Sequence, residues 1–398
     1  MGFGVRRSRV SPIGVDFGGG SMKVAQLDLT GDRPRLIAAA MEPMPEGFEG
    51  DEHDRLRLQA SSLPRLLKGL GFKGKRAVGS LGSWSTIAQP IRVAGKKGEI
   101  GEDVILGELA RMTGEDPFAL VARWWHVGAA GKPGTKETDV VCVACPRRMV
   151  DEHIEAIRSA RLDPVALHAE HVALVRAFDP ITRRTTDHDL SSLYVDIGAT
   201  TTKVVIARGR DLLFARTVDV GTRDMDVGAM ESSEACGPSG PGTTHEPEPE
   251  PAEPLDPDRP LMAPGAARPA PGEGSEPDRR RGATPPGALE LAERESPEPA
   301  ALGDAERTLC DDVGLSIRYH GAACPGAALD RVVFVGGGAG SPALCSRIAR
   351  TLRVSAAVAD PLRGLEGARD ASMRGVDLAD ATPGWATAIG LCLAPTAL

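Results

Sequence analysis

Ile13-Gly14-Val15-Asp16-Phe17-Gly18-Gly19-Gly20-Ser21-Met22-Lys23-Val24 and Leu193-Tyr194-Val195-Asp196-Ile197-Gly198-Ala199-Thr200-Thr201-Thr202-Lys203-Val204 are two copies of one pattern. Each reads Val-Asp-x-Gly, four residues, then Lys-Val. In each, a short apolar strand enters a turn of small residues. A second, alternating strand leaves it: Val24, Gln26 and Asp28 in the first copy, Val204, Ile206 and Arg208 in the second. Two hairpins of one design predict a duplicated fold.

The chemistry such a turn supports follows from its residues. Gly18, Gly19, Gly20 and Ser21, and Gly198, Ala199, Thr200, Thr201 and Thr202, are small enough for tight curvature and for main-chain N–H groups to converge on a phosphate. Asp16 and Asp196 end buried strands just before the turns, where a carboxylate can hold Mg²⁺ directly or through waters. Lys23 and Lys203 can each add a point charge toward phosphate. A third element, Arg331-Val332-Val333-Phe334-Val335-Gly336-Gly337-Gly338-Ala339-Gly340-Ser341-Pro342, is an apolar strand ending in glycines before a helix start. Gly336, Gly337 and Gly338 remove side chains from the path of a flat purine and its ribose.

Between and after these motifs, strands alternate with helices. Strands are predicted at 75–81, 87–93, 120–127, 139–145 and 331–335, and helices at 100–112, 147–161, 305–320 and 342–352. That interleaving predicts an α/β protein with mixed sheets. At 398 residues the chain is too long for one core, so two domains are expected, 11–190 and 191–398. From 231 to 299 the sequence turns rich in Pro, Glu, Gly and Ser and carries 16 of the chain's 32 prolines. A segment this poor in aromatic and β-branched residues buries too little apolar surface to offset its ordering entropy, and it reads as a disordered insertion in the second domain. Its Arg279, Arg280 and Arg281 read as a solvated charge run.

A net charge of −8 gives no general reason to bind nucleic acid or an anionic membrane. Seven scattered cysteines fit a reducing cytosol rather than a disulfide framework. The basic segment from Met1 to Val10 leads into no signal-peptide core, and no run of about 18 apolar residues exists to insert in a bilayer. Cys142 and Cys145 have zinc-knuckle spacing, but residues three apart on a strand face opposite ways, so packed thiols are the reading. His168 and His171 could share a helix face in a surface or capping role, and Trp124 and Trp125 read as one core and one partly exposed aromatic.

The three motifs, in this order, resemble the phosphate-1, phosphate-2 and adenosine motifs of the actin, hexokinase and heat-shock chaperone superfamily, a duplicated ribonuclease H-like fold. Within it the chain resembles the PilM family, cytoplasmic actin-like components of type IV pilus assembly related to FtsA. That likeness is carried by 195–202, Val218-Asp219-Val220-Gly221, 154–165 and 336–344. Residues 75–162 look like the inserted α/β subdomain of PilM and FtsA. The resemblance implies a protein that binds ATP and Mg²⁺ and turns ATP over slowly if at all. It also implies docking of the cytoplasmic tail of a single-pass PilN-type partner, at the inner face of the cytoplasmic membrane and without inserting into it. A homo-oligomer is compatible with this. Two departures stand out. The first turn is richer in glycine than the family's, leaving its hydroxyl contacts to Ser21, and 222–230 matches poorly. No residue for activating a hydrolytic water is apparent. The rival readings are a small-molecule kinase of sugar-kinase type on the same fold, which needs an Asp general base in the first half, and a pseudo-ATPase that keeps only the docking surface.

Overall fold

The computed structural model describes residues 9–95, 100–127, 137–178, 190–225, 289–290, 302–323, 329–379 and 381–394. Each repeat seeds a sheet. In sheet one, β1 (Ile13–Phe17), β2 (Ser21–Asp28) and β3 (Arg35–Pro43) form an antiparallel meander, and β4 (Arg76–Leu81) and β8 (Asp163–Ala169) extend it in parallel. In sheet two, β9 (Ser191–Ile197), β10 (Thr202–Arg208) and β11 (Asp211–Val218) repeat the meander, extended in parallel by β13 (Arg331–Val335) and β14 (Ala356–Val358). The strand orders β3-β2-β1-β4-β8 and β11-β10-β9-β13-β14 are the same topology used twice. The central strands are apolar on both faces because both faces are covered. Every residue of β1 and of β9 is buried.

One face of sheet one packs on α1 (Glu52–Leu67) and α3 (Arg147–Ser159) through Leu56, Leu63, Leu66 and Ile157. One face of sheet two packs on α5 (Asp304–Ala323) and α6 (Pro342–Leu352) through Leu309, Val313, Leu344 and Ile348. The helices between the sheets exchange sides. α4 (Glu170–Ala177) follows β8 of sheet one, yet Leu174, Val175 and Ala177 pack into the core beneath sheet two. α7 (Ala386–Leu393) follows the second half, yet Ala388, Ile389 and Cys392 pack on Ala25, Leu27 and Ala39 of sheet one. β15 (Ser372–Arg374) also joins sheet one, parallel to β3. From within the expected second half, 191–398, α7 thus covers the open face of the first sheet with apolar side chains, and β15 extends its edge by main-chain pairing with β3.

The inserted unit is also narrower than 75–162. β4 pairs with β1, and α3 covers sheet one, so both belong to the first layer. What remains is a three-stranded sheet, β5 (Ile87–Ala94), β7 (Glu137–Pro146) and β6 (Leu120–His126), with α2 (Glu102–Thr113) on one side. Its other side, at Ala88, Val141 and Val143, packs against sheet two. Cys142 lies in the core with α2 and Cys145 in a separate cluster with Met149, so the two thiols do face opposite ways. Burial holds them protonated, raising their pKa values to about 12 and about 11. Of 231–299, the structure describes Leu289–Glu290, which pair antiparallel with β14 as β12; the rest, with Arg279 to Arg281, lies outside the described residues.

Candidate functional site

In an antiparallel pair, side chains directly opposite share a face. That places Lys23 opposite Asp16 and Lys203 opposite Asp196. The two hairpins use the pairing differently. Lys203 is 7% exposed, and its Nζ donates to Glu170 Oε2 at 2.9 Å and lies 3.1 Å from Asp196 Oδ2. Lys23 is half-buried and acts on Asp16 through space. Burial works against the Lys203 charge, but Asp196 and Glu170 outweigh it and hold the ammonium well above the ordinary lysine range. Burial would likewise raise Glu170, but Lys203 prevails and keeps it below the ordinary carboxylate range. Glu170 opens α4, in the first turn, where a carboxylate also meets the positive helix end. One ammonium thus ties a carboxylate from the first half to one from the second.

Asp16 sits in the same neighbourhood and is 4% exposed. Ser80 Oγ accepts from the Phe17 amide at 2.9 Å and donates to Asp16 Oδ1 at 3.2 Å. Burial pushes the Asp16 carboxyl up to about 6 from its usual 3.8, against the pull of Lys23, with Glu170 adding to the rise. The folded protein therefore binds this proton more tightly than the unfolded chain does, and stability falls as pH rises from 3.8 through about 6. Asp16→Asn removes that cost. Its thermal midpoint should exceed the wild-type value at pH 8 and match it at pH 4, in the absence of ligand. Equal midpoints at pH 8 would show that Asp16 is not desolvated.

The three motifs meet at one junction. A Cβ on Gly19 would lie 2.8 Å from Thr200 Oγ1 and one on Gly20 2.9 Å from the Ala199 Cβ, so the two turns touch. Ser83 and Thr201 share a hydroxyl hydrogen bond of 2.8 Å across the halves, and the Ser83 amide donates to Glu170 Oε2 at 3.2 Å. Gly336 adopts φ +86°, and a Cβ there would stand 2.3 Å from Asp196 Oδ1, so only glycine lets the third motif approach the second. Gly338 is packed against Ile197, whereas Gly337 has open space at its Cβ position. Ser21 and Gly18 complete the first turn, where Gln59 Nε2 donates to the Gly18 carbonyl at 2.9 Å. Gly198 and Thr202 complete the second: the Gly198 amide donates to Thr201 O at 3.0 Å and Thr202 Oγ1 to Val220 O at 2.7 Å.

Asp16, Glu170 and Asp196 are hard oxygen donors gathered around one lysine, which suits Mg²⁺. Among the described residues, no three His, Cys, Asp or Glu side chains are placed to hold a metal by themselves. The fit is therefore to an ion held by one or two carboxylates and completed by water and phosphate oxygens, the usual habit of Mg²⁺. A groove of about 420 Å³ lined by Met41, Glu42, Pro43, Arg65, Leu66 and Arg374 lies elsewhere, at the outer edge of sheet one, and contains none of these groups.

Sequence reasoning missed Glu170, Ser80 and Ser83. Glu170 is an unexceptional acidic residue at a helix start, and its role appears only when β8 delivers it beside Lys203. His168 and His171 share no helix face: His168 is on β8 and His171 on α4. His171 is fully buried and bonds Thr217 Oγ1 at 3.0 Å, and burial followed by Lys203 pushes its imidazole down to about 4. Trp124 packs in the inserted core and Trp125 against the sheet-two core, both partly buried.

Comparison with known proteins agrees with this architecture. The family model "Type IV pilus assembly protein PilM" matches residues 14–228. A solved structure described as "PilM-PilN type IV pilus biogenesis complex" is 18% identical, covers 97% of this chain and 98% of its own, and superposes with a TM-score of 0.61. The ethanolamine utilization protein EutJ from Carboxydothermus hydrogenoformans is 13% identical over 96% of this chain and 89% of its own, with a TM-score of 0.46. The fold is the duplicated actin-like α/β fold. Among the described residues no helix is long and apolar enough to cross a membrane.

Proposed function

The chain belongs to the PilM family of type IV pilus assembly proteins, and we propose that it works as a nucleotide-dependent scaffold. In this reading it holds Mg-ATP between its two sheets and docks the cytoplasmic tail of a single-pass inner-membrane partner of PilN type. The observation that carries this is the junction itself. Three motifs far apart in sequence converge, and carboxylates from both halves share one buried lysine. Gly18 to Ser21 and Gly198 to Thr202 would hold phosphates, Gly336 to Gly338 would line the nucleoside, and Asp16 and Asp196 would position Mg²⁺. When bound, the ion would neutralise phosphate charge. Because the turns touch, a nucleotide entering between them must part the two halves, and the spacing it sets is what a partner would read. The structure of similar fold is described as a complex with PilN, which supports the choice of partner.

The test is Mg-ATP affinity together with capture of a PilN-type tail. Asp196→Asn should weaken Mg-ATP binding tenfold or more, about 1.4 kcal/mol, and reduce tail capture in Mg-ATP, both measured at a temperature where the variant is shown to be folded. Unchanged affinity would remove the metal role from Asp196. The same contact between the turns favours a second reading, a docking protein that has given up nucleotide. Saturating Mg-ATP should stabilise a nucleotide binder by about 2.7 kcal/mol at a hundredfold excess over Kd. A thermal midpoint indifferent to Mg-ATP would favour the second reading.

A further inference from the structure

We propose that Arg55 and Arg223, one from each half, receive the terminal phosphoryl group of a nucleotide in this cleft and make the protein prefer a triphosphate to a diphosphate. The proposal rests on the nucleotide reading above and adds to it the group that is recognised.

Arg55 lies on α1 and is 5% exposed. Among the described residues its guanidinium pairs with Glu52, one turn earlier on the same helix, and stands over the Trp84 ring with 5.5 Å from Cζ to the centroid. A guanidinium carries five N–H donors in a rigid fork, and one carboxylate and a ring face leave donors to spare. Its Nη1 is 3.8 Å from where a Cβ on Gly19 would stand, so the spare donors border the middle of the first phosphate turn.

Arg223 reaches the same glycine from the other half. It follows Gly221 in the short helical turn 222–225, anchored there by Gly221 N to Asp224 Oδ2 at 2.7 Å and by its own amide to Ala199 O at 3.0 Å. Its exposed side chain crosses the cleft, and Nη2 donates to the Gly19 carbonyl at 3.5 Å. Two guanidiniums from opposite halves thus converge on one turn. They feel each other: burial is the main cause bringing the Arg55 pKa down to about 10, Glu170 pulls it back up, and the nearby Arg223 adds a smaller push downward. Like charges held together at a glycine turn are costly, and an oxyanion between them converts that repulsion into charge-assisted hydrogen bonds. The junction then has carboxylates for the metal and guanidiniums for the outermost phosphate. A β-phosphate alone would leave the bridge between the halves incomplete.

The experiment measures ATP and ADP affinities, with Mg²⁺, for the full chain and for Arg223→Gln and Arg55→Lys. Arg223 is on the surface, so its variant tests recognition without risk to the fold. Both variants should cut the ATP-over-ADP affinity ratio at least fivefold, chiefly through weaker ATP binding. If the wild type binds both nucleotides and Arg223→Gln leaves the ratio within twofold of its wild-type value, the arginine proposal is overturned and the nucleotide reading stands. If the wild type binds neither, both fall together.

Discussion

Lys203→Met should lower the unfolding free energy by about 3–5 kcal/mol at neutral pH, the usual cost of removing one partner from a buried ion pair. Methionine matches the length and fills the space, so the loss is electrostatic. Asp196 and Glu170, 4% exposed each, would keep their desolvation cost without the buried ammonium that offsets it. The sign with pH follows. In the wild type Lys203 keeps Glu170 below its ordinary range, and the stability this brings is fully present above that range and is lost as pH falls below it, through the lowered value. In the variant, burial is the largest influence left on Glu170, its carboxyl moves up with only His171 and the Ser83 amide opposing, and the penalty grows with pH. The gap between variant and wild type should therefore be wider at pH 8 than at pH 5, as read from denaturant midpoints. Adding Glu170→Gln should recover part of it. A loss below about 1 kcal/mol would place Lys203 among ordinary surface pairs.

Gly390→Ala should be nearly as damaging, by about 3 kcal/mol. Its Cβ would sit 1.8 Å from the Ala173 carbonyl oxygen and 2.5 Å from the Ala173 carbonyl carbon, which are backbone atoms with nowhere to turn. Helix propensity alone argues the other way, since alanine is preferred to glycine by about 1 kcal/mol inside a helix. Here the clash is the larger effect because α4 and α7 would have to move apart. Gly107→Ala in α2 provides the contrast: nothing lies within 4 Å of its Cβ position, so only the propensity gain remains and the variant should be stabilised. Thermal midpoints moving in opposite directions would support this account; parallel shifts would count against it.

What could be read from the residues was what repeats or alternates. The two Val-Asp-x-Gly hairpins and the glycine run lie in the structure as β1–β2, β9–β10 and the end of β13, and the expected strands and helices, the 305–320 helix apart, fall within two residues of their expected bounds, whereas β3, α1, β8 and α4 were not foreseen. A period of two tells which face a side chain takes but not which chain segment covers that face. Lys203 illustrates this: alternation put it on the same face as Asp196, and only the tertiary crossing of α4 brought Glu170. α7 reads as a run of small and apolar residues, Ala386 to Leu393, with no periodic stripe to name its partner, so its assignment to sheet one was out of reach. The helical turn 222–225 shows the same limit, since Arg223 gains its meaning from Gly19 in the other half.

The exchange of α4 and α7 between the halves also governs how the protein is made. The thiol of Cys392 donates to the carbonyl of Ala25 across 367 residues of chain, and Ala388 covers Gly14. As the polypeptide leaves the ribosome, the first sheet emerges early and then waits, one apolar face bare, until almost everything else described here has been translated. Such long-range closure is slow, and a waiting apolar face is prone to aggregate. Sheet one can mature only after sheet two has been synthesised, so a chain interrupted before α7 would present Ala25, Leu27 and Ala39 as a sticky surface for chaperones rather than as half of a working protein.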